Sequence, residues 1–336
     1  MNIARARWAA LPLALLAGAA LCAAADPDVF AINRKLGRGV NIIGYDPIWR
    51  APEKARFTLR HFQLIKAAGF SSVRINLAPF RAMDAQNHQL ADSWLKVLDW
   101  AVKGALDNGL AVILDCHEYT SMGSDPESGH QSFLAFWRQI APRFKDAPPE
   151  VVFELLNEPS GKLTPELWNT YLAEALAIVR ESNPTRAVII GPANYNTIAT
   201  LEPLKLPESD PNLILTVHYY LPMSFTHQGA RWVREQADKS GVEWLGTADE
   251  KAAIANDFEK GQAWAKQHNR PVFLGEFGAY DKGPMASRVL YTDFVARTAE
   301  KFGWSWAYWQ FDSDFIVYNI NEDHWVEPIR DALLPR

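Results

Sequence analysis

Eight short apolar runs recur along this chain, and most of the segments between them carry the spacing of amphipathic helices. The runs cover residues 40–43, 72–77, 111–116, 151–156, 187–190, 213–217, 271–275 and 305–309. Helical patterns fill 58–68, 93–107, 133–144, 165–181, 252–267 and 285–301, while the gap after the fifth run is thin in helix. Strands alternating with helices build parallel βαβ units, because a parallel strand needs a crossover long enough to return the chain to the same edge. Eight such units predict an α/β fold, a closed (β/α)8 or TIM barrel in a single domain. One gap is oversized. Residues 218–270 exceed a loop and one helix, and the stretch 221–248 is rich in aromatic and turn residues, so it is expected to fold over one rim of the barrel.

The first 25 residues read as a secretory leader and 26–336 as the barrel domain. Arg5 and Arg7 precede an apolar run from Trp8 to Cys22, and Ala23-Ala24-Ala25 offers a small-residue cleavage site. The run is too short and Ala-rich for a spanning helix. Leu21 before Cys22 argues against lipid attachment, so cleavage near Ala25 and release to the periplasm or beyond are expected. Cys116 is then the single remaining cysteine, so no intramolecular disulfide is available. The formal net charge of −5 becomes more negative without the leader arginines, and no Lys/Arg cluster is present to track phosphates. Nucleic acid and, after cleavage, membranes are therefore not expected partners, and a monomer is. Thirteen tryptophans fit stacking on sugar rings, although most tryptophans in any protein fill core.

Two of the runs end abruptly in a carboxylate beside a turn-former. Phe153-Glu-Leu-Leu-Asn-Glu-Pro159 ends in Glu158, and Val272-Phe-Leu-Gly-Glu-Phe-Gly278 ends in Glu276. Hydrolysis of a glycosidic bond needs two carboxyl groups, one to protonate the leaving oxygen and one to attack the anomeric carbon or activate water. Side-chain alternation along the strands gathers further polar residues on the same side. Arg74 and Asn76 share a face of strand two, Asp115 and His117 of strand three, Thr216, His218 and Tyr220 of strand six, and Ser305, Ala307 and Trp309 of strand eight. The opposite faces are apolar, and Trp304, Trp306 and Cys116 fall there, as outward packing. Polar inward positions lie toward the strands' C-terminal ends, where barrel enzymes place their chemistry. Parity breaks at Asn157-Glu158 only, where a local kink is expected. Glu154, deeper on the same strand, reads as a structural partner.

These residues together resemble glycoside hydrolase family 5 of clan A. The matching positions are Arg74 (S-V-R-I-N), His117 (D-C-H-E), Asn157 and Glu158 (N-E-P), His218 and Tyr220 (H-Y-Y), Glu276 (G-E-F-G) and Trp309, in order over residues 37–311. The resemblance implies a retaining mechanism, with Glu158 as acid/base and Glu276 as nucleophile. It further implies that Asn157 binds the sugar 2-hydroxyl and that Arg74 and Tyr220 hold Glu276 ionised and oriented. His117 and His218 would line the cleaved subsite, and Trp309 would be its stacking floor. No cofactor is implied. The opening at residues 37–47 and the segment F-T-H-Q-G-A after strand six resemble endoglucanase members. The expected substrate is therefore a β-1,4-glucan, either cellulose or mixed-linkage β-glucan, with an endo-β-mannanase or another β-glycanase as the alternative within the family. Trp232 is expected to stack on a sugar ring outside the cleaved subsite, against the alternative that it packs as core. Two readings from other classes remain: a metal-dependent hydrolase built on Asp115-Cys116-His117 and His218, and a barrel that binds sugar without cleaving it.

Overall fold

The computed structural model describes residues 28–335. The expected leader cleavage at Ala25 lies outside the described residues. Eight parallel strands close into a barrel in sequence order: β1 (Arg38–Ile42), β2 (Ser72–Leu77), β3 (Ala111–Cys116), β4 (Val151–Glu154), β5 (Val188–Ile190), β6 (Leu213–Tyr219), β7 (Val272–Phe277) and β8 (Ser305–Tyr308). A two-stranded hairpin, β9 (Tyr318–Asn319) and β10 (His324–Trp325), follows the barrel. The helices are α1 (Val29–Leu36), α2 (Leu59–Ala68), α3 (Asp92–Asp107), α4 (Tyr119–Ser124), α5 (Pro126–Arg143), α6 (Pro165–Ser182), α7 (Met223–Thr226), α8 (Ala248–Gln267), α9 (Met285–Lys301) and α10 (Glu327–Leu333). None of the described helices is long and apolar enough to cross a membrane. After β5 there is only a 3-10 turn, Ile198–Thr200, where helix signals are thin in the sequence.

The alternation along the strands divides the core in two. Val40, Val73, Leu114, Phe153, Leu215, Leu274 and Trp306 face outward into the layer shared with the helices. Ala111, Ile113, Val152, Ile189, Ile214, Phe273 and Ala307 face inward and fill the lower barrel. Helix α1 closes that end by inserting Val29, Ile32 and Leu36 into the inner cluster. Asn33 clips it in place, donating to the Val272 carbonyl at 2.9 Å and accepting from Ser305 Oγ at 2.7 Å. The apolar repeat of α1 lies just beyond the leader and lacks a side-chain N-cap bond, so it does not stand out in the sequence.

Two helices start earlier than their hydrophobic pattern does. Helix α5 begins at Pro126 because Asp125 caps it, accepting from Ser128 N, and a proline suits the first helical turn. Helix α8 begins at Ala248 because Thr247 and Glu250 form a reciprocal capping box.

Parity breaks twice, which corrects the expectation of a single break. At the end of β4, Leu155 and Leu156 both join the outer core while Asn157 and Glu158 both turn to the mouth. Glu158 sits at φ 44°, a left-handed conformation that costs a non-glycine residue of order 1–3 kcal/mol. The second break is a bulge in β7. Val217 pairs with Leu274, but the next β6 residue, His218, pairs with Glu276, so Gly275 is skipped. A Cβ at position 275 would lie 2.7 Å from Thr216 Oγ1 and 2.8 Å from His218 Nε2. Glycine there lets an extra residue sit in the strand and turns Glu276 inward, where strict alternation would have pointed it at the helices.

Candidate active site

Arg74 on β2 is the fixed point of the barrel mouth. Its side chain is fully buried, and all five of its N–H donors are used. Nε and Nη2 grip Glu154 at 2.6 and 2.9 Å, and Nη2 also donates to Asn157 Oδ1 at 2.8 Å. Nη1 donates to Asn41 Oδ1 at 2.8 Å and to Glu276 Oε1 at 2.9 Å. Arg74 thus joins the structural Glu154 to the strand-end Glu276. Asp115 Oδ2 lies a further 3.1 Å from Nη2. One guanidinium therefore faces three buried carboxylates. Burial pushes Glu154 up, and the neighbouring Asp115 and Glu276 add to this against the pull of Arg74. Burial would raise Asp115 too, but Arg74 and the His117 ring, 2.6 Å away, hold it below its ordinary value.

The two strand-end glutamates sit in contrasting surroundings. Both oxygens of Glu276 hold donors, Arg74 Nη1 on Oε1 and the Tyr220 hydroxyl at 3.0 Å on Oε2. Glu158 has a single close partner, His218 Nδ1 at 2.8 Å from Oε1, and keeps 16% of its side chain exposed to the cleft. Burial pushes its carboxyl up to about 7. The same burial pushes His218 down to about 3, so this imidazole is neutral. His117 behaves oppositely: burial opposes its charge, but Asp115 overrides that and raises it.

Asn157 offers its amide nitrogen 3.5 Å from His117 Nε2. Trp309 lies parallel to the His117 ring at 5.5 Å, with Tyr45 edge-on at 6.2 Å. Arg74, His117, Asn157, Glu158, His218, Tyr220, Glu276 and Trp309 therefore meet at one mouth. The sequence reading passed over Asn41, although alternation in β1 puts it on the inner face beside Arg74. Tyr45, in the turn after β1, and Tyr119, the first residue of the short helix α4, also stand beside these residues, with no repeat long enough to expose them. Tyr119 stands edge-on to His117 at 5.4 Å.

Trp232 is set apart. It is 56% exposed and stands edge-on to Tyr280, 5.0 Å between centroids, which overturns the alternative of a core residue. Its neighbours Phe225 and Trp244 are buried instead, both against Tyr291. The rim segment that carries it is a folded unit, because buried Gln228 bonds Phe225 and Val242 across the loop. Rings connect Trp232 to the mouth: Tyr280 lies 5.8 Å from Phe315, and Phe315 lies 5.6 Å from Tyr220. A groove on the outer wall, between α6 and residues 203–210, gathers no comparable chemistry. Its Arg180 and Asp210 are bound to each other at 2.7 Å.

Glu158, His218 and Glu276 offer donor atoms within 4.8 Å of one another, which is compact enough for a metal ion. These atoms are already engaged, however, with one another, with Arg74 and with Tyr220. The alternative ligand set fares worse, since Cys116 packs in the outer core and the Asp115 carboxylate is bound to His117.

Comparison with known proteins shows likeness over most of the chain. The profile of the family Cellulase (glycosyl hydrolase family 5) matches residues 34–314. Endoglucanase H of Acetivibrio thermocellus is 32% identical over 307 residues, which is 87% of this chain and 32% of that protein. The chain thus spans about a third of the length of this curated relative. Thermotoga maritima Cel5A in complex with cellobiose is 40% identical with a TM-score of 0.87, covering 91% of this chain and 100% of that one. The same protein in complex with mannotriose gives 40% and 0.86, over 91% and 100%. With the matched profile running through every barrel strand, the chain belongs to glycosyl hydrolase family 5.

Proposed function

We propose that this chain is a retaining, endo-acting glycoside hydrolase that cleaves β-1,4-glucosidic bonds in cellulose or mixed-linkage β-glucan, acting as an exported monomer. The observation that carries the mechanism is the pair Glu158 and Glu276, with carboxylate oxygens within 4.8 Å and unlike surroundings. Retaining enzymes hold the two carboxyl groups about 5–5.5 Å apart, whereas inverting ones need roughly 6.5–9.5 Å to admit a water. Glu276 accepts from the Arg74 guanidinium and the Tyr220 hydroxyl, which together fix the orientation of the attacking carboxylate. Glu158, raised to about 7, carries a proton below neutrality.

In the first step the Glu158 proton passes to the glycosidic oxygen as that C–O bond breaks, and a Glu276 oxygen bonds the anomeric carbon as an ester. In the second, Glu158, now a carboxylate, takes a proton from water as the water oxygen attacks the same carbon and frees Glu276. Asn157, held by Arg74, presents its amide nitrogen to the sugar 2-hydroxyl. Trp309 and His117 offer their rings to the sugar at the bond cleaved. Endoglucanase relatives support a glucan substrate, and Trp232 would stack on a further glucose unit. Mannan is the second reading, favoured by the neighbour solved with mannotriose.

Reducing-sugar release from carboxymethylcellulose, barley β-glucan, glucomannan, mannan and xylan separates the substrates, and equal or greater activity on mannan replaces the glucan reading. For the mechanism, kcat/KM should fall above a pH near 7, because the acid must be protonated. Glu158→Ala should be crippled on polysaccharide yet retain turnover on an aryl glycoside with a good leaving group, with added azide restoring part of the loss. Equal damage on both substrates would show that Glu158 acts structurally.

A further inference from the structure

Beyond the end of β5 the backbone does something costly. Asn194, Tyr195 and Asn196 have φ of 65°, 64° and 55°, three consecutive left-handed residues, none of them glycine. Each such residue costs roughly 1–2 kcal/mol relative to ordinary backbone, so the surrounding structure must impose the turn. Its bonds show how. Tyr195 N donates to the Pro159 carbonyl at 3.2 Å, tying the turn to the residue after Glu158. The Thr197 hydroxyl donates to the Asn194 carbonyl at 3.0 Å. The outcome is that Asn196 swings back into the barrel mouth, fully buried. Its carbonyl accepts from His218 N at 2.9 Å, and its side-chain Nδ2 lies 3.3 Å from His218 Nε2. Its Oδ1 packs over Gly191, where a Cβ would come within 2.2 Å.

A neutral imidazole has one N–H and one acceptor nitrogen, and an amide nitrogen can only donate. With Asn196 Nδ2 on Nε2, the His218 proton sits on Nδ1, which faces Glu158 Oε1 at 2.8 Å. Other groups around the pair are Glu276, His117, Asp115 and Arg74 from the neighbouring strands, with Tyr45, Tyr119 and Tyr220 from the rim. Among these, Glu276 approaches His218 at Nδ1, 3.6 Å away, rather than at Nε2. Asn196 is therefore the group that decides the tautomer.

We propose that Asn196 is a positioning residue for the acid/base: by donating to His218 Nε2 it directs the imidazole proton onto Glu158 Oε1, leaving Oε2 as the oxygen that carries the catalytic proton. This rests on the reading of Glu158 as acid/base. A carboxylic acid whose inner oxygen already accepts a hydrogen bond presents its proton from the other oxygen, which fixes the direction of proton delivery. The strained turn after β5 is the structural device that puts the amide in place.

The wild-type protein tests the first half without any variant. With 15N-labelled histidine, the His218 resonances should report a neutral ring protonated at Nδ1. A ring protonated at Nε2, the arrangement expected were the amide oxygen turned toward it, overturns the proposal. Asn196→Asp replaces the donor by an acceptor of the same shape and should draw a proton onto Nε2. The variant should lose about 10- to 100-fold in kcat on polysaccharide, part of the roughly 10²–10⁴ a positioned acid contributes. It should change by less than about twofold on an aryl glycoside with a good leaving group, for which protonation matters little. Equal loss on both substrates assigns Asn196 a purely structural role and overturns the proposal, as does no loss on either. Glu158→Ala in parallel keeps the two levels apart: equal damage there removes the acid/base reading, while the wild-type tautomer stands or falls alone.

Discussion

The two ends of the barrel are built from the same alternation and held by opposite physics. At the floor, Ile113, Val152, Ile189, Ile214 and Phe273 meet the α1 side chains Val29, Ile32 and Leu36, and stability comes from apolar area removed from water. At the mouth, the next inward positions are Arg74, Asp115 and Glu154, and the β7 bulge adds Glu276, all buried. Each buried ion there has lost its water and is tolerated only while opposite charge remains beside it. The floor degrades gradually as atoms are removed, whereas the mouth depends on the one cation its carboxylates share. That cluster nevertheless holds two carboxyl groups close together in unlike surroundings.

The largest effect should come from the mouth. Glu276→Gln should lower turnover by a factor on the order of 10³ or more, since an amide forms no glycosyl ester, while substrate binding persists. Near-wild-type activity in a preparation free of contaminating enzyme would remove Glu276 from the chemistry. Its melting temperature should hold or rise, because one of three carboxylates facing Arg74 has gone.

Arg74→Leu tests the same network for stability. Leaving Glu154, Asp115 and Glu276 without their cation should cost about 3–5 kcal/mol at neutral pH. Carboxyls without that cation bind protons more tightly folded than unfolded, so the variant's stability should fall as pH rises from about 4.5 to 7. Denaturant titrations at both pH values check this, and a loss equal at both would deny that the carboxylates are the cause.

Cutting the floor should act differently. Leu36→Ala removes a fully buried side chain from the α1 plug and should cost about 3 kcal/mol, within the usual range for such truncations. Below its transition temperature the variant should keep kcat/KM within about twofold, because no mouth residue bonds to α1. A matched fall in kcat/KM would mean that the two ends are coupled.

The smallest effect is expected at the rim. Trp232→Ala should weaken binding of long glucans by about 1 kcal/mol through KM and leave short aryl glycosides unchanged. Its melting temperature should stay put, since the ring is already 56% exposed. A drop in melting temperature without any length dependence would return Trp232 to a packing role.

Much of this molecule was legible from period alone. The runs at 72–77 and 111–116 coincide with β2 and β3, and the helical pattern at 285–301 coincides with α9. The polar inner faces of β2, β3, β6 and β8 followed from counting by twos, which is why Arg74, His117, His218 and Trp309 could be named together. What escaped were features whose cause is not periodic. Helix α1 is too short for its pattern to stand out, and its meaning depends on an open barrel end being there to fill. The starts of α5 and α8 were written in Asp125-Pro126 and in Thr247 with Glu250, but as capping chemistry that precedes the apolar repeat.

The sequence by itself determined the number and order of βα units, the residues that alternate inward and the identity of two strand-end carboxylates, because each is a local property of a strand or helix. Only the tertiary structure decided the rest. Glu276 faces the mouth because Gly275 has no side chain to clash with Thr216 and His218 on the neighbouring strand. Arg74 joins two glutamates rather than choosing one because β4 and β7 bring Glu154 and Glu276 to its opposite ends. Asn196 reaches His218 because three left-handed residues fold the chain back into the barrel. Each of these depends on where a neighbouring strand stands, and that distance is fixed only when the barrel closes.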